Sequence, residues 1–134
     1  MNPRISLLLL LVISPISWAG DFVEIMHRHE FGVHGYRIEC FPAKSGQRCV
    51  IAEIKNAGVV KSRIISSADA RSMIEPFFQK SRPSTRVPAS ANSVTWQVSH
   101  GQKTISGSCL SGSRCEARRS LIQLEAELLR SLLR

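Results

Sequence analysis

Three of the chain's four histidines fall in the stretch His27-Arg28-His29-Glu30-Phe31-Gly32-Val33-His34. Imidazole ligates transition metals and exchanges protons near neutral pH, so this stretch holds the first candidate for chemistry. In an extended segment an H-x-H pair points both rings to one face. His27 and His29 therefore form a candidate half-site for zinc or copper, with Glu53 on a neighbouring strand as the best source of a third ligand.

Other chemistry has less to stand on. The chain contains no G-x-S-x-G elbow and no H-E-x-x-H pair. Paired carboxylates could be drawn from Glu24, Glu30, Glu39 and Glu53, but acids on such strands are usually solvated or ion-paired. No catalytic residue is assigned, the reading leans away from an enzyme, and no cofactor is expected unless zinc or copper binds the histidines. The four cysteines, Cys40, Cys49, Cys109 and Cys115, read as disulfides, because an even count in an exported chain favours them and the C-x₂-C spacing of zinc sites is missing. Pairing neighbours in sequence, Cys40 with Cys49 and Cys109 with Cys115, asks least of the fold.

Export is expected from the first residues. Arg4 precedes an apolar run, Ile5 to Ile13, and small residues flank Trp18 before Gly20. This is the pattern of a signal peptide cleaved after Ala19, and the run is shorter than the ~20 residues a membrane span needs. A single disulfide-stabilised domain over 20–134 follows, periplasmic or secreted, with no membrane span. The formal net charge is +8, and loss of Arg4 with the leader lowers it by one. Such a charge favours acidic partners, whether a protein surface or an anionic envelope polymer, whereas no basic run or nucleic-acid-binding motif points to nucleic acid.

The elements that must position these residues can be read from periodicity. Residues 22–65 alternate as a four-stranded antiparallel meander, with turns at Gly32 to Gly35, at Pro42 to Gln47 and at Asn56-Ala57-Gly58. For the first hairpin, a two-residue Gly32-Val33 turn would set Arg28 against Arg37. A four-residue Gly32–Gly35 loop instead pairs Glu30 with Arg37, Arg28 with Glu39 and His27 with Cys40, and leaves His34 at the loop tip. Ser66 is placed to cap a helix that should end or kink near Glu75, ahead of Pro76, with Phe77 and Phe78 plugging the core. A basic loop follows. Ser93 to Gly107 predicts a hairpin turning at His100-Gly101, with Ile105 opposite Trp96. From Glu116 a helix carries apolar residues over an arc of roughly 180°. Glu125 projects into that arc and requires a partner such as Arg118, Lys61 or Arg63, unless the arc is split and Glu125 lies at its edge.

The whole is an α+β fold: an antiparallel sheet of about six strands, the meander plus the 93–107 hairpin, covered on one face by two helices of which the C-terminal is longest. The function expected is protein contact, of an inhibitor or immunity-like kind. The candidate contact residues are Lys44 and Arg48 at the clamped turn, His34 at the loop tip, Arg82 and Arg86 in the basic loop, and Arg114, Arg118 and Arg119 beside the second cysteine pair. Metal binding at His27 and His29, or adhesion to anionic envelope polymers, are the alternatives.

Overall fold

The computed structural model describes residues 20–44, 46–83, 92–110 and 117–134. Alternation in the sequence becomes six strands, β1 (Phe22–His29), β2 (Gly32–Ala43), β3 (Gly46–Lys55), β4 (Gly58–Ile65), β5 (Ser93–His100) and β6 (Lys103–Leu110). Two helices accompany them, α1 (Ser67–Lys80) between β4 and β5, and α2 (Arg118–Leu133) after β6. All six strands lie antiparallel in one sheet of order β4-β3-β2-β1-β5-β6. The meander expected over 22–65 therefore stands, and α1 carries the chain back over it so that the β5–β6 hairpin joins β1.

Period-two alternation puts Val23, Ile25, Tyr36, Ile38, Ile51, Trp96 and Val98 on one face of the sheet. Ala70, Met73, Ile74 and Phe77 of α1 and Leu121, Leu124, Leu128 and Leu132 of α2 close over them, completing one buried cluster. The α+β architecture with the longest helix at the C-terminus is thus the observed one. In α2 the leucines at 121, 124, 128 and 132 form a narrow inward stripe, while Ile122, Leu129 and Leu133 remain exposed. The broad apolar arc is therefore split, and at about 100° per residue Glu125 falls on the seam between its halves.

Helix α1 does not stop at Pro76. Ser66 caps it as expected, its side-chain oxygen accepting from the Asp69 amide at 3.0 Å. The helix then continues through the proline to Lys80. Packing offsets the backbone bond that proline cannot make: Phe77 is buried edge-on to the Trp96 ring, with centroids 5.7 Å apart. The last turn is closed by Ser81, whose hydroxyl donates to the Phe77 carbonyl at 2.6 Å and whose amide donates to the Phe78 carbonyl at 3.2 Å.

Cys40 and Cys49 are directly opposed on β2 and β3 and joined by a disulfide. Cys109 is also disulfide-bonded, while Cys115, its expected partner, lies outside the described residues. The β5–β6 turn falls one residue later than the sequence suggests, at Gly101-Gln102, both with positive φ (59° and 68°). That is the backbone signature of the tight turns whose twist suits a hairpin. Ile105 accordingly faces Val98, and Trp96 faces Gly107. The slip moves every cross-strand partner by two residues, so each side chain keeps its face. It also returns His100 to the strand, where Nδ1 sits 2.9 Å from Asp21 Oδ2.

Candidate functional site

The β1–β2 register brings the histidines together in a way the sequence reading did not anticipate. The chain turns at Glu30-Phe31, so Gly32 to Gly35 belong to β2, and His27 lies directly opposite His34. The expected pairings of Glu30 with Arg37, Arg28 with Glu39 and His27 with Cys40 are not formed, and His34 is a strand residue rather than a loop tip.

Two effects account for the shift and outweigh the loss of one ion pair. Apolar residues now oppose one another, Val23 with Ile38 and Ile25 with Tyr36, where the expected register would set Val23 and Ile25 against Lys44 and Pro42. One ion pair replaces two, Arg37 Nε donating to Glu24 Oε2 at 2.8 Å. Finally, the start of β2 is tied to the β3–β4 turn, with the Val33 amide donating to Asn56 Oδ1 at 3.0 Å and the Asn56 amide to the Val33 carbonyl at 2.8 Å. Gly35 reads in sequence as a turn residue, but its role is close approach: a Cβ there would collide with the Ile25 carbonyl oxygen.

Two histidine–carboxylate pairs result. His27 Nε2 lies 2.6 Å from Glu125 Oε1, reaching from β1 to α2. His34 Nε2 lies 2.7 Å from Glu53 Oε2, across β2 and β3. Glu125 is thus paired and only partly buried, and its partner is His27 instead of Arg118, Lys61 or Arg63. Tyr36, directly opposite Glu53, lies edge-on to the His34 ring at a centroid distance of 5.3 Å. Burial first, then the negative charges of Glu53 and Glu125, push the Tyr36 phenol above its ordinary pKa and keep it a proton-bearing donor. His27 is raised as well, chiefly by its hydrogen bond to Glu125, which outweighs the partial burial acting the other way.

This arrangement suits the holding of protons and the tethering of α2 to the sheet. His29 is exposed beyond the pairs at the hairpin turn, its ring Nδ1 accepting from the Phe31 amide at 3.3 Å. Among the described residues, no three histidine, cysteine, aspartate or glutamate side chains form a group that could hold a metal.

The candidate contact residues other than His34 lie on several separate elements. Lys44 and Arg48 sit exposed at the β2–β3 turn, and Arg118 and Arg119 are exposed at the start of α2. Arg82 follows α1 and folds back on it, donating to the Gln79 and Ser81 carbonyls at 3.1 and 2.9 Å. Arg86 and Arg114 lie outside the described residues. Glu53 could be singled out in the sequence as a neighbour of the histidines. Tyr36 could not be, because a tyrosine alternating with isoleucine reads simply as core.

The raised pKa of His27 has a consequence for stability, with a definite sign. A proton bound more tightly in the folded than in the unfolded state stabilises the fold fully below about pH 6.5, and that contribution is lost as pH rises through the folded value. Glu125→Gln should therefore cost stability at mildly acidic pH and little at alkaline pH. With the His27 side chain 39% exposed, the difference should be at most about 1 kcal/mol. Urea unfolding of both proteins across this range reads it directly, and a wild-type-minus-variant difference independent of pH would refute the assignment.

No protein-family model, curated protein or solved structure matches the chain.

Proposed function

We propose that the chain is a small exported, non-enzymatic binding protein that acts by protein contact, in the manner of an inhibitor or immunity protein. One observation carries this reading: β4 terminates the sheet and is exposed from Gly58 through Ile64, including Val59, Val60 and Ile64. Sheet edges present unpaired amides and carbonyls, and proteins shorten or cover them, or blunt them with charges and bulges, unless another chain adds a strand there; β4 carries two cations and one irregularity, yet keeps eight residues and three exposed apolar side chains. The formal net charge of +8, lowered by one when Arg4 leaves with the leader, favours a partner with an acidic surface. The Cys40–Cys49 bridge suits the oxidising compartment that export would reach.

Affinity capture tests the reading. The immobilised mature chain, exposed to envelope and culture fractions of its source organism, should retain a specific protein saturably, and should still retain it at about 0.3 M salt, where contacts between exposed charges are largely screened. Recovery of no specific protein at any salt concentration would overturn it.

A further inference from the structure

We propose that β4 accepts an extended segment of the partner protein, and that this segment carries acidic residues at alternate positions. The inference rests on the protein-contact reading above and adds the chemistry of the partner. Register with β3 sets Lys61 opposite Glu53 and Arg63 opposite Ile51, on the helix-covered side of the sheet, and sets Ser62 opposite Ala52 and Ile64 opposite Val50, on the other side. An irregularity in the β3–β4 pairing between Lys61 and Val59 distorts the Gly58 end of the strand, so the regular docking edge is Lys61 to Ile65.

That edge is charged in one sense only. β4 contains Lys61 and Arg63 and no acid. Neither takes part in a salt bridge among the described residues. Glu53, the carboxylate facing Lys61, is engaged by His34. The Arg63 guanidinium donates to the Ser131 carbonyl at 2.8 Å, a contact that fixes its position without neutralising its charge.

The same charges argue against a second copy of this chain as the occupant. Directly opposed residues in an antiparallel pair share a face, so a twofold pairing with both helix layers on one side, centred on Lys61, Ser62 or Arg63, sets Lys61 against Lys61, Lys61 against Arg63 or Arg63 against Arg63. Like charges in direct opposition destabilise a strand pair. An incoming strand with a carboxylate at two alternate positions meets both cations at once, and apolar residues at the intervening positions face Ser62 and Ile64. The backbone hydrogen bonds supply attachment, and the charge pattern supplies choice.

Capped peptides serve as probes against the full mature chain, followed by amide chemical shifts. The sequence Val-Glu-Val-Glu-Val-Glu-Val should perturb residues 58–65 and bind about tenfold more tightly than its counterpart with lysine at each glutamate, as expected when two cross-strand pairs change from attraction to repulsion. Methylation of the peptide's alternate backbone nitrogens along its docking edge should abolish binding. The doubly substituted K61Q/R63Q chain, shown to be folded by its melting transition, should bind both peptides about equally.

Equal affinity of the wild-type chain for the two peptides, unimpaired binding of the methylated peptide, or perturbation centred away from β4 would each overturn the proposal. A native partner captured equally well by K61Q/R63Q would overturn it too while leaving protein contact standing. If the chain binds the acidic peptide as described but captures no protein, the edge chemistry is upheld and the contact function is not.

Discussion

Leu128→Ala is expected to lower the free energy of unfolding by about 3 kcal/mol, the size of a buried leucine truncation with a cavity left behind. Leu128 is fully buried, in the middle of the α2 stripe formed with Leu121, Leu124 and Leu132. Its neighbours on either side hold the helix down, so the site cannot collapse simply by letting α2 tilt inward. The same helix brings Glu125 to His27. Looser packing one turn away should therefore also weaken that pair, and the His27 imidazole resonance should titrate closer to its ordinary value in the variant. Leu129→Ala is the control: Leu129 is 43% exposed on the outer stripe, and its truncation should shift stability by no more than about 0.5 kcal/mol. Urea unfolding of the two variants separates the stripes, and a Leu128→Ala cost below about 1 kcal/mol would contradict this packing of α2.

Much of the architecture can be read from periodicity, because alternation in 22–65 and 93–107 and the leucine spacing of the C-terminal segment each permit one element type. Faces were more legible than partners. In both hairpins the expected register is off by an even number of residues, six for β1–β2 and two for β5–β6, and an even slip leaves the buried set unchanged. Local turn chemistry fixed neither register. In the first hairpin the glycines looked like the turn, whereas Gly35 is needed so that β1 can pass closely and the chain reverses at Glu30-Phe31. Pro76 misled for a related reason, since an intrinsic penalty on one helical hydrogen bond is smaller than the gain from burying Phe77 against Trp96.

The candidate site suffers most from a register slip, because a side-chain pair depends on partners as well as faces. Moving the partner of His27 from Cys40 to His34 turns a strand histidine and an expected loop residue into neighbours. Glu125 announced itself in the sequence as an acid in an apolar arc that needed a partner. Which partner it takes depends on how α2 crosses the sheet, and no local pattern encodes that crossing. His27, far away in sequence, wins over the cations on β4, and this leaves Lys61 and Arg63 as the charges presented at the open edge.

Replacing Cys40 and Cys49 together by alanine is expected to cost about 2–3 kcal/mol, the loop-closure entropy returned to the unfolded chain when residues nine apart are released. For a domain of this size the melting temperature should fall by about 10 °C. Both sulfurs belong to side chains buried against Ile38 and Ile51, so part of any loss could come from packing rather than from the cross-link. Reductant distinguishes the two. If the cross-link is responsible, the gap between wild type and variant should close once the wild-type bridge is reduced, since both chains then lack it. If packing is responsible, the gap should persist. A fold that draws this much of its stability from a bond reduced in the cytosol reaches full stability only in an oxidising compartment. With the export proposed above, the chain would be less stable before crossing than after it, and the β2–β3 hairpin that supports the β4 edge would be clamped only in the oxidising compartment.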